Sequence, residues 1–315
     1  MNENSEFTWN NDERTTQDFD EMAAQGNKLP PILKIWGNYI LQRGLFHFVS
    51  ERGTGKTFLC MQLCLAVAKG WKEFCTELIQ INGNTLYVNL EMEHDFMKRR
   101  MDTLFKKFSQ DLDGPFKAIM HSSNNNFATE RSFISELVKK YKPVLVVIDN
   151  YKFAFREFDP NKSNVAMQIM SDLRRLTRDN DIAIVVIDHT KKHTRNLKTE
   201  SDLQGGSGSK SDAFDGDFFI RKSSKDVQWR ILKRDKSRMV EDQRMAKLLR
   251  LNPETLWFEM QEEEIDEMDH LNGDMLNGKD EAYDLAKVMK ENGATMDQIK
   301  AATGIPLSTL YRKLK

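Results

Sequence analysis

The sequence lacks several features that would assign a 315-residue chain to a specialised class of proteins. It has no apolar run long enough to span a membrane, and its polar, acidic start is unlike a signal peptide. The three cysteines suit a reduced cytoplasm, and the absence of nearby His or Cys partners argues against a metal centre built on Cys60 and Cys64. We therefore expect a cytoplasmic protein without membrane contact.

An excess of charge of one sign is also missing. The formal net charge is -1, although 30% of the residues are charged. This balance excludes a general attraction to nucleic acid, so any nucleic-acid surface must be local, such as one loop or one face. No internal repeat is evident, and the length suffices for one large domain and a small one.

A glycine-rich segment with the residue order of a phosphate-binding loop stands between a predicted strand, 45–49, and a predicted helix from Phe58 onward. In this context backbone N–H groups surround the phosphates, Lys56 reaches the terminal phosphates and Thr57 offers a hydroxyl to Mg²⁺. Ser50 replaces the usual first glycine. The predicted nucleotide-binding residues are Ser50, Glu51, Arg52, Gly53, Thr54, Gly55, Lys56, Thr57 and Phe58.

Two further carboxylates fit the same site. Asp149 ends an apolar run, 144–148, and can hold the Mg²⁺ shell opposite Thr57. Asn150 follows it where many ring ATPases of the AAA+ type have the catalytic glutamate, so the general base must come from elsewhere. The strand 85–90 ends next to Glu91, which is the leading candidate, and Glu93 is the alternative.

The chain alternates apolar strands with helices, which predicts an α/β domain with a mostly parallel central sheet. Strands are expected at 45–49, 85–90, 144–148 and 182–187, followed by antiparallel edge strands near 217–221, 227–233, 247–251 and 256–260. The expected domains are a flexible acidic arm (1–28), the α/β domain (29–264), a linker (265–279, with acidic residues from 261) and a small all-α unit (280–315).

The order of these motifs resembles RecA-fold P-loop ATPases, specifically RepA-type plasmid helicases and the DnaB-type hexameric core. The resemblance rests on the P-loop, the segment Asn89–Met92, the strand that ends in His189-Thr190-Lys191, and the glycine-serine stretch before Asp212 and Asp215. It covers residues 30–260. It implies ATP with Mg²⁺, a hexameric ring and DNA as partner.

Carried over by position, His189 would sense the γ-phosphate. The basic loop after it would line the channel of the ring and grip a nucleic-acid strand through Lys191, Lys192, Arg195, Lys198 and Lys210. A second channel-loop candidate carries Lys152, Arg156 and Lys162. A merely solvated loop is the alternative for the first of these segments.

The resemblance also implies a Lys-x-Arg pair that reaches the ATP of the neighbouring subunit. Lys236 and Arg238 match that pair best, after the strand through Trp229 and Ile231. A trans arginine stabilises charge that develops on the γ-phosphate, and it makes hydrolysis depend on assembly. Basic residues of a hairpin turn are the alternative interpretation.

The last segment, 281–315, resembles a helix-turn-helix, with Ile299, Ile305, Leu310 and Leu314 in its small core. Its last helix offers four candidate DNA contacts, Ser308, Thr309, Arg312 and Lys313. Docking on a protein partner or on the ring is the alternative.

Together these features predict an ATP hydrolase: a ring-forming, DNA-dependent helicase or translocase of a plasmid or other mobile element. Two other hypotheses stay open. One is an ATP-gated DNA-binding regulator or loader that recruits replication or transposition proteins, which the tail supports. The other is a RadA-like recombination ATPase, which fits the core but not the tail.

Overall fold

The structure is a computed structural model that describes residues 18–26, 31–106, 114–154, 163–189, 213–241, 243–271, 286–290, 293–303 and 305–313. Contacts divide the chain into two compact units, Met1–Ile32 and Leu33–Lys315. In the first unit α1 covers Phe19–Gly26, so the predicted flexible arm contains a helix. None of the described helices is long and apolar enough to cross a bilayer.

The second unit is built on strands and helices that alternate along the chain. Its strands are β1 (Lys34–Trp36), β2 (Ile40–Leu41), β3 (Leu45–Ser50), β4 (Glu73–Phe74), β5 (Glu77–Leu78), β6 (Thr85–Asn89), β7 (Ala118–Ser122), β8 (Leu145–Asp149), β9 (Ala183–His189), β10 (Gly216–Lys222), β11 (Trp229–Ser237), β12 (Ala246–Leu251) and β13 (Phe258–Ile265). Its helices are α2 (Lys56–Ala68), α3 (His94–Phe105), α4 (Phe127–Tyr141), α5 (Tyr151–Ala154), α6 (Ser163–Asn180), α7 (Met268–Leu271), α8 (Met296–Thr303) and α9 (Leu307–Lys313).

Nine of these strands form one sheet in the order β13-β12-β11-β10-β3-β9-β8-β6-β7. Neighbours from β10 to β7 are parallel, and β10 through β13 pair antiparallel. Successive residues of a central strand face opposite cores: Val146 packs in one apolar cluster and Val147 in the other. Burial on both faces explains why β8 and β9 are continuous apolar runs, as the sequence predicted.

The structure corrects the prediction for β10. Asp217–Arg221 was expected in an antiparallel edge strand, but β10 lies inside the sheet and pairs parallel with β3 on one side. Its apolar run, Phe218–Ile220, is short and has buried Asp217 before it and Arg221 after it, so its composition resembles that of an edge strand. β11 likewise runs to Ser237, so Lys236 lies in the strand and not in a hairpin turn.

The acidic stretch that was expected to begin the linker is also structured in its first part. β13 continues to Ile265 with Gln261–Glu264 exposed, and α7 follows. Edge strands often carry charged residues, which discourage pairing with other chains. The composition of this edge strand therefore resembles that of a linker. Residues 272–285 lie outside the described residues.

The C-terminal segment forms a small cluster of its own. Residues 286–290 are helical, and α8 has the predicted bounds Met296–Thr303. Ile299, Ile305 and Leu310 are buried together with Ala286, as predicted for the first three. Leu314 lies outside the described residues, and the assignment of these helices to DNA binding stays a prediction.

Asp215 lies directly before β10 and stabilises the pairing of β10 with β3. Its Oδ2 accepts hydrogen bonds from the Leu45 backbone N–H (2.8 Å) and from the guanidinium of Arg174 (2.5 Å). We predict that Asp215→Ala lowers the free energy of unfolding by about 2–3 kcal/mol, because a buried N–H and a half-buried cation lose their acceptor.

Urea denaturation monitored by circular dichroism measures this loss. The control is Arg131→Ala, which breaks an ion pair between Asp172 and a half-exposed arginine (3.0 Å) and should cost less than about 0.5 kcal/mol. Equal losses in the two variants would contradict a special role for Asp215.

Candidate functional site

The candidate site lies at the carboxyl-terminal edge of the parallel strands, where β3, β6, β8 and β9 all end. The loop after β3 leads directly into α2, so the order strand, glycine-rich turn and helix matches the predicted phosphate loop. Gly55 has φ +102°, and an added Cβ would lie 2.8 Å from Phe258 Cζ. Both the backbone conformation and the close approach of Phe258 require glycine there.

Ser50 has a structural role that the motif comparison did not predict. Its buried hydroxyl contacts the hydroxyl of Thr54, and the two oxygens lie 3.0 Å and 3.1 Å from the carbonyl of Glu51. One hydroxyl donates to the other, and the second donates to this carbonyl. The replacement of the usual glycine therefore adds a hydroxyl bridge that braces the first half of the loop.

Lys56 is buried at the start of α2, and its ammonium faces three acceptors. Nζ lies 2.8 Å from the Ser50 carbonyl, 2.9 Å from the Glu51 carbonyl and 3.2 Å from His189 Nδ1. Burial lowers the pKa of Lys56 to about 8, against the opposing influence of nearby carboxylates. The three protons of the ammonium are matched by these three acceptors.

Thr57 and Asp149 meet as the sequence predicted. Thr57 Oγ1 donates to Asp149 Oδ2 at 2.8 Å, and the hydroxyl of buried Tyr87 donates to the same oxygen at 2.6 Å. The other oxygen, Oδ1, is buried without a hydrogen-bond partner in the described part of the chain. Burial raises the pKa of Asp149. One orphan carboxylate oxygen beside a hydroxyl is a donor set that fits Mg²⁺, which is bound by few protein oxygens and completes its shell with water and phosphate.

Glu91, Asn150 and His189 form a second cluster beside Lys56. Asn150 Nδ2 donates to Glu91 Oε2 and lies 3.1 Å from His189 Nε2, while Glu91 Oε2 lies 3.6 Å from the same ring nitrogen. Since the ammonium of Lys56 can only donate, its contact with Nδ1 is a hydrogen bond in the tautomer that carries the ring proton on Nε2, the nitrogen that faces Glu91. In that tautomer the approach of Asn150 Nδ2 to Nε2 is not a hydrogen bond, because both nitrogens are donors. The contact with His189 lowers the pKa of Glu91, so this carboxylate is ionised at neutral pH.

The alternative base, Glu93, has a different position. Glu93 is exposed and precedes the first turn of α3, and its backbone carbonyl accepts the N–H groups of Phe96 (3.1 Å) and Met97 (3.2 Å). Of the two glutamates only Glu91 makes contacts with the cluster around Lys56 in the described residues.

Two basic residues near the loop escaped the sequence analysis. Buried Arg230 donates from Nε to the Thr54 carbonyl (2.8 Å), and Lys222 Nζ lies 3.7 Å from the position of an added Cβ on Gly53. Both follow from the parallel pairing of β10 with β3, which brings the end of β10 and the start of β11 to the loop. The sequence prediction placed β10 at an antiparallel edge of the sheet, so it did not bring Arg230 and Lys222 near the phosphate loop.

Lys236 and Arg238 do not join this cluster. In the sheet Lys236 pairs with Asp217, which pairs with His47, so it lies toward the amino-terminal edge. Lys236 is six positions along β11 from Arg230, or roughly 20 Å of extended strand. Within one chain the structure therefore brings Lys56, Thr57, Glu91, Asp149 and His189 together and leaves Lys236 and Arg238 apart.

The remaining predicted residues divide into three groups. Glu51, Arg52 and Lys152 are exposed, and the ring of Phe58 lies 5.1 Å from the guanidinium carbon of Arg100. Lys191, Lys192, Arg195, Lys198, Lys210, Arg156 and Lys162 lie outside the described residues. Ser308, Thr309, Arg312 and Lys313 belong to α9, where Thr309 is half-buried.

Comparison with known proteins now adds a family to this geometry. A family model described as AAA domain matches residues 11–195, more than half of the chain. The chain belongs to the AAA domain family. The matched region contains the phosphate loop, Glu91, Asp149 and His189, whereas β10–β13 and the C-terminal helices follow it.

One curated relative is similar to part of the chain. The "DNA repair protein XRCC3 homolog" of Arabidopsis thaliana is 28% identical over 187 residues, which cover 51% of this AAA domain protein and 57% of that relative. The chain thus spans little more than half the length of this curated relative.

Two solved structures are also similar to the chain. A protein described as an ATPase domain matches with a TM-score of 0.53 at 14% identity, over 70% of this chain and 85% of that one. The RadB recombinase has a TM-score of 0.49 at 16% identity, over 70% and 92%. The likeness to the solved ATPase domain confirms the expected RecA-like α/β fold with its mostly parallel sheet.

The lowered pKa of Lys56 predicts the pH dependence of nucleotide binding. Below about pH 8 the ammonium is charged and attracts phosphate, and above this pH the free protein loses that charge before it binds. We predict that ATP affinity is constant near neutral pH and falls by up to about tenfold per pH unit above pH 8, as one linked proton requires.

Equilibrium binding of a fluorescent ATP analogue from pH 6.5 to 9.5 measures this dependence. The control is Lys56→Met, which should bind more weakly and lose the alkaline decline. A decline of the same steepness in Lys56→Met would assign it to another group.

Proposed function

We propose that this protein hydrolyses ATP with Mg²⁺ at the edge formed by β3, β6, β8 and β9. The observation that carries the proposal is the arrangement around Lys56: a phosphate-loop lysine, the Thr57 hydroxyl, a buried Asp149 with an orphan oxygen, and an ionised Glu91. Each is a part that phosphoryl transfer to water needs. The similarity to a solved ATPase domain supports the same activity.

Thr57 and Asp149 would hold Mg²⁺, which when bound supplies positive charge to the phosphate oxygens. Lys56 would exchange its contact with His189 for the terminal phosphate, since all three of its donors are already engaged. The backbone N–H groups of the loop, braced by Ser50 and by Arg230, would hold the remaining phosphate oxygens.

Glu91 would act as general base on the attacking water. Its carboxylate is ionised at neutral pH, and the amide of Asn150 holds one of its oxygens in place. The amide oxygen of Asn150 accepts from the Phe153 backbone N–H (3.2 Å), which orients the NH₂ group toward Glu91. His189, between Lys56 and Glu91, is placed to respond when phosphate displaces it from the lysine.

We further propose that the site is completed by a second copy of the chain in a hexameric ring. Lys56, Arg230 and Lys222 lie at the loop within one chain, whereas Lys236 and Arg238, the pair that the resemblance assigns to the γ-phosphate, lie toward the opposite edge of the sheet. A neighbouring subunit can present that edge to the nucleotide, as the resemblance to RepA-type and DnaB-type helicases implies.

DNA is the proposed macromolecular partner. The name of the XRCC3 homolog describes a DNA repair protein, which supports action on DNA. Two segments of this chain would contact it: the basic loop with Lys191, Lys192, Arg195, Lys198 and Lys210, and the C-terminal helices through α9. The leading function is therefore a RepA-like helicase or translocase of a plasmid or other mobile element.

The alternative is an ATP-gated DNA-binding regulator or loader that recruits replication or transposition proteins without unwinding. The observation that favours it is the separate C-terminal cluster around Ile299 and Leu310, which a motor does not need. A strand-displacement assay with ATP distinguishes the two functions, because only the motor separates a forked duplex while both hydrolyse ATP.

We predict that Glu91→Gln lowers kcat by about 10²–10⁴ while ATP binding persists, because the amide cannot take the proton of water. Steady-state hydrolysis with and without single-stranded DNA, together with binding of the fluorescent analogue, measures both quantities. Glu93→Gln is the matched control and should keep kcat. Loss of kcat in the control alone would transfer the role to Glu93.

We predict that Arg238→Ala abolishes hydrolysis without abolishing ATP binding, because its side chain acts on the nucleotide of a neighbour. Mixing Arg238→Ala with Glu91→Gln subunits should restore part of the activity, since some interfaces then combine an intact Glu91 with an intact Arg238. Size measurements by light scattering, with and without ATP and single-stranded DNA, accompany the assay. A monomer under all conditions, or no recovery in stable mixed rings, would overturn the trans assignment.

A further inference from the structure

His47 is a fully buried histidine in the middle of β3, three residues before the phosphate loop begins. Its Nε2 lies 3.3 Å from Asp188 Oδ2 on one neighbouring strand, and its Nδ1 lies 3.6 Å from Asp217 Oδ1 on the other. Phe214 stacks on the ring at a centroid distance of 4.4 Å, and the ring of Tyr151 lies 6.3 Å away. Burying a polar ring and two carboxylates in the centre of a sheet costs free energy, because these groups lose their contacts with water.

The two carboxylates favour the charged form of the ring. Burial alone opposes a charge on His47, but the contacts with Asp188 and Asp217 outweigh it and raise the pKa of the ring. Asp188 on β9, Asp217 on β10 and the phenol of Tyr151 on α5 are the titratable groups that face it. In its charged form the ring compensates the carboxylate charge that is buried in the sheet.

Asp188 connects this buried pair to the candidate site. While Oδ2 faces His47, Oδ1 accepts the backbone N–H of His189 at 2.7 Å. His189 is the residue whose ring contacts Lys56 and lies beside Glu91. The contacts thus run without interruption from His47 through Asp188 to the backbone of His189 and then to the reacting groups.

We propose that His47 is a positioning residue for hydrolysis: by holding Asp188 it fixes the backbone of His189 and so the ring between Lys56 and Glu91. The inference rests on the proposed ATPase function. Asp217 provides an internal comparison, because it faces Nδ1 of the same ring from β10, whereas Asp188 is the carboxylate that accepts the backbone N–H of His189.

Two substitutions of His47 separate its two contacts. In His47→Gln the amide nitrogen occupies nearly the place of Nε2 and can still donate to Asp188. In His47→Asn the shorter side chain puts its amide near the place of Nδ1, so it reaches toward Asp217 and loses Asp188. Both variants replace the imidazole with a neutral, polar amide, so their losses of stability should be similar.

We expect His47→Asn to lower kcat by about tenfold or more, as a displaced catalytic side chain does, with KM changed less than about twofold because the phosphate loop itself is intact. His47→Gln should recover most of kcat. The measurements are steady-state ATP hydrolysis at saturating single-stranded DNA, with urea denaturation of each variant as the independent record of stability.

Asp188→Asn and Asp217→Asn extend the test, and they keep it decisive if His47→Asn does not fold. Both remove one carboxylate beside the same ring, but only Asp188 contacts His189, so only Asp188→Asn should lower kcat. Equal kcat in the two His47 variants, or an equal loss in the two aspartate variants, would overturn the proposal. Absence of ATP hydrolysis by the unaltered protein would instead refute the proposed function.

Discussion

The parallel pairing of β3 with β9, and of β9 with β8, is the constraint on which the site depends. In this register Ser50 is the partner of His189, and Val49 is the partner of Asp188. The pairing of β6 with β8 places Asn89 beside Asp149 in the same way, and Glu91 follows two residues later. Parallel strands that end together present their following residues at one edge, so groups from distant parts of the chain meet there.

The same edge concentrates buried charge, and the charges are balanced locally. Lys56 faces Asp149, Glu91 and Asp188. Burial lowers the pKa of Lys56, and each of these three carboxylates opposes that fall. Within β3, three residues before Ser50, His47 faces Asp188 and Asp217. Buried ion pairs return little stability compared with apolar packing of the same volume. A series of them that ends at a phosphate loop is therefore better explained by chemistry than by stability.

Much of this edge could be predicted from the sequence because its local signals are strong. The phosphate loop, the buried strand before Asp149 and the strand before Glu91 each follow from a short stretch of residues, and the structure brings them together as expected. The contribution of Ser50 could not be predicted, because it depends on a hydroxyl contact with Thr54 inside the folded loop.

The parts that could not be predicted depend on the order of strands in the sheet. A strand with a charged residue, Asp217, near its start does not resemble a central strand. The contact that accounts for this aspartate is with His47, which is 170 residues earlier in the chain. The contact of Arg230 with Thr54 also depends on the order of strands, because it exists only if β10 lies beside β3. Local periodicity cannot report which strands become neighbours.

The satisfied state of Lys56 has a consequence for nucleotide binding. With three acceptors already in place, the lysine offers no vacant donor, and a phosphate can only exchange with one of them. The Ser50 and Glu51 carbonyls belong to the loop itself, whereas His189 is held at the end of β9 and is not part of it. Exchange with His189 leaves the loop intact and frees Nδ1 of a ring whose other nitrogen faces Glu91. Phosphate binding at Lys56 is therefore coupled, through one imidazole, to the carboxylate that would activate water.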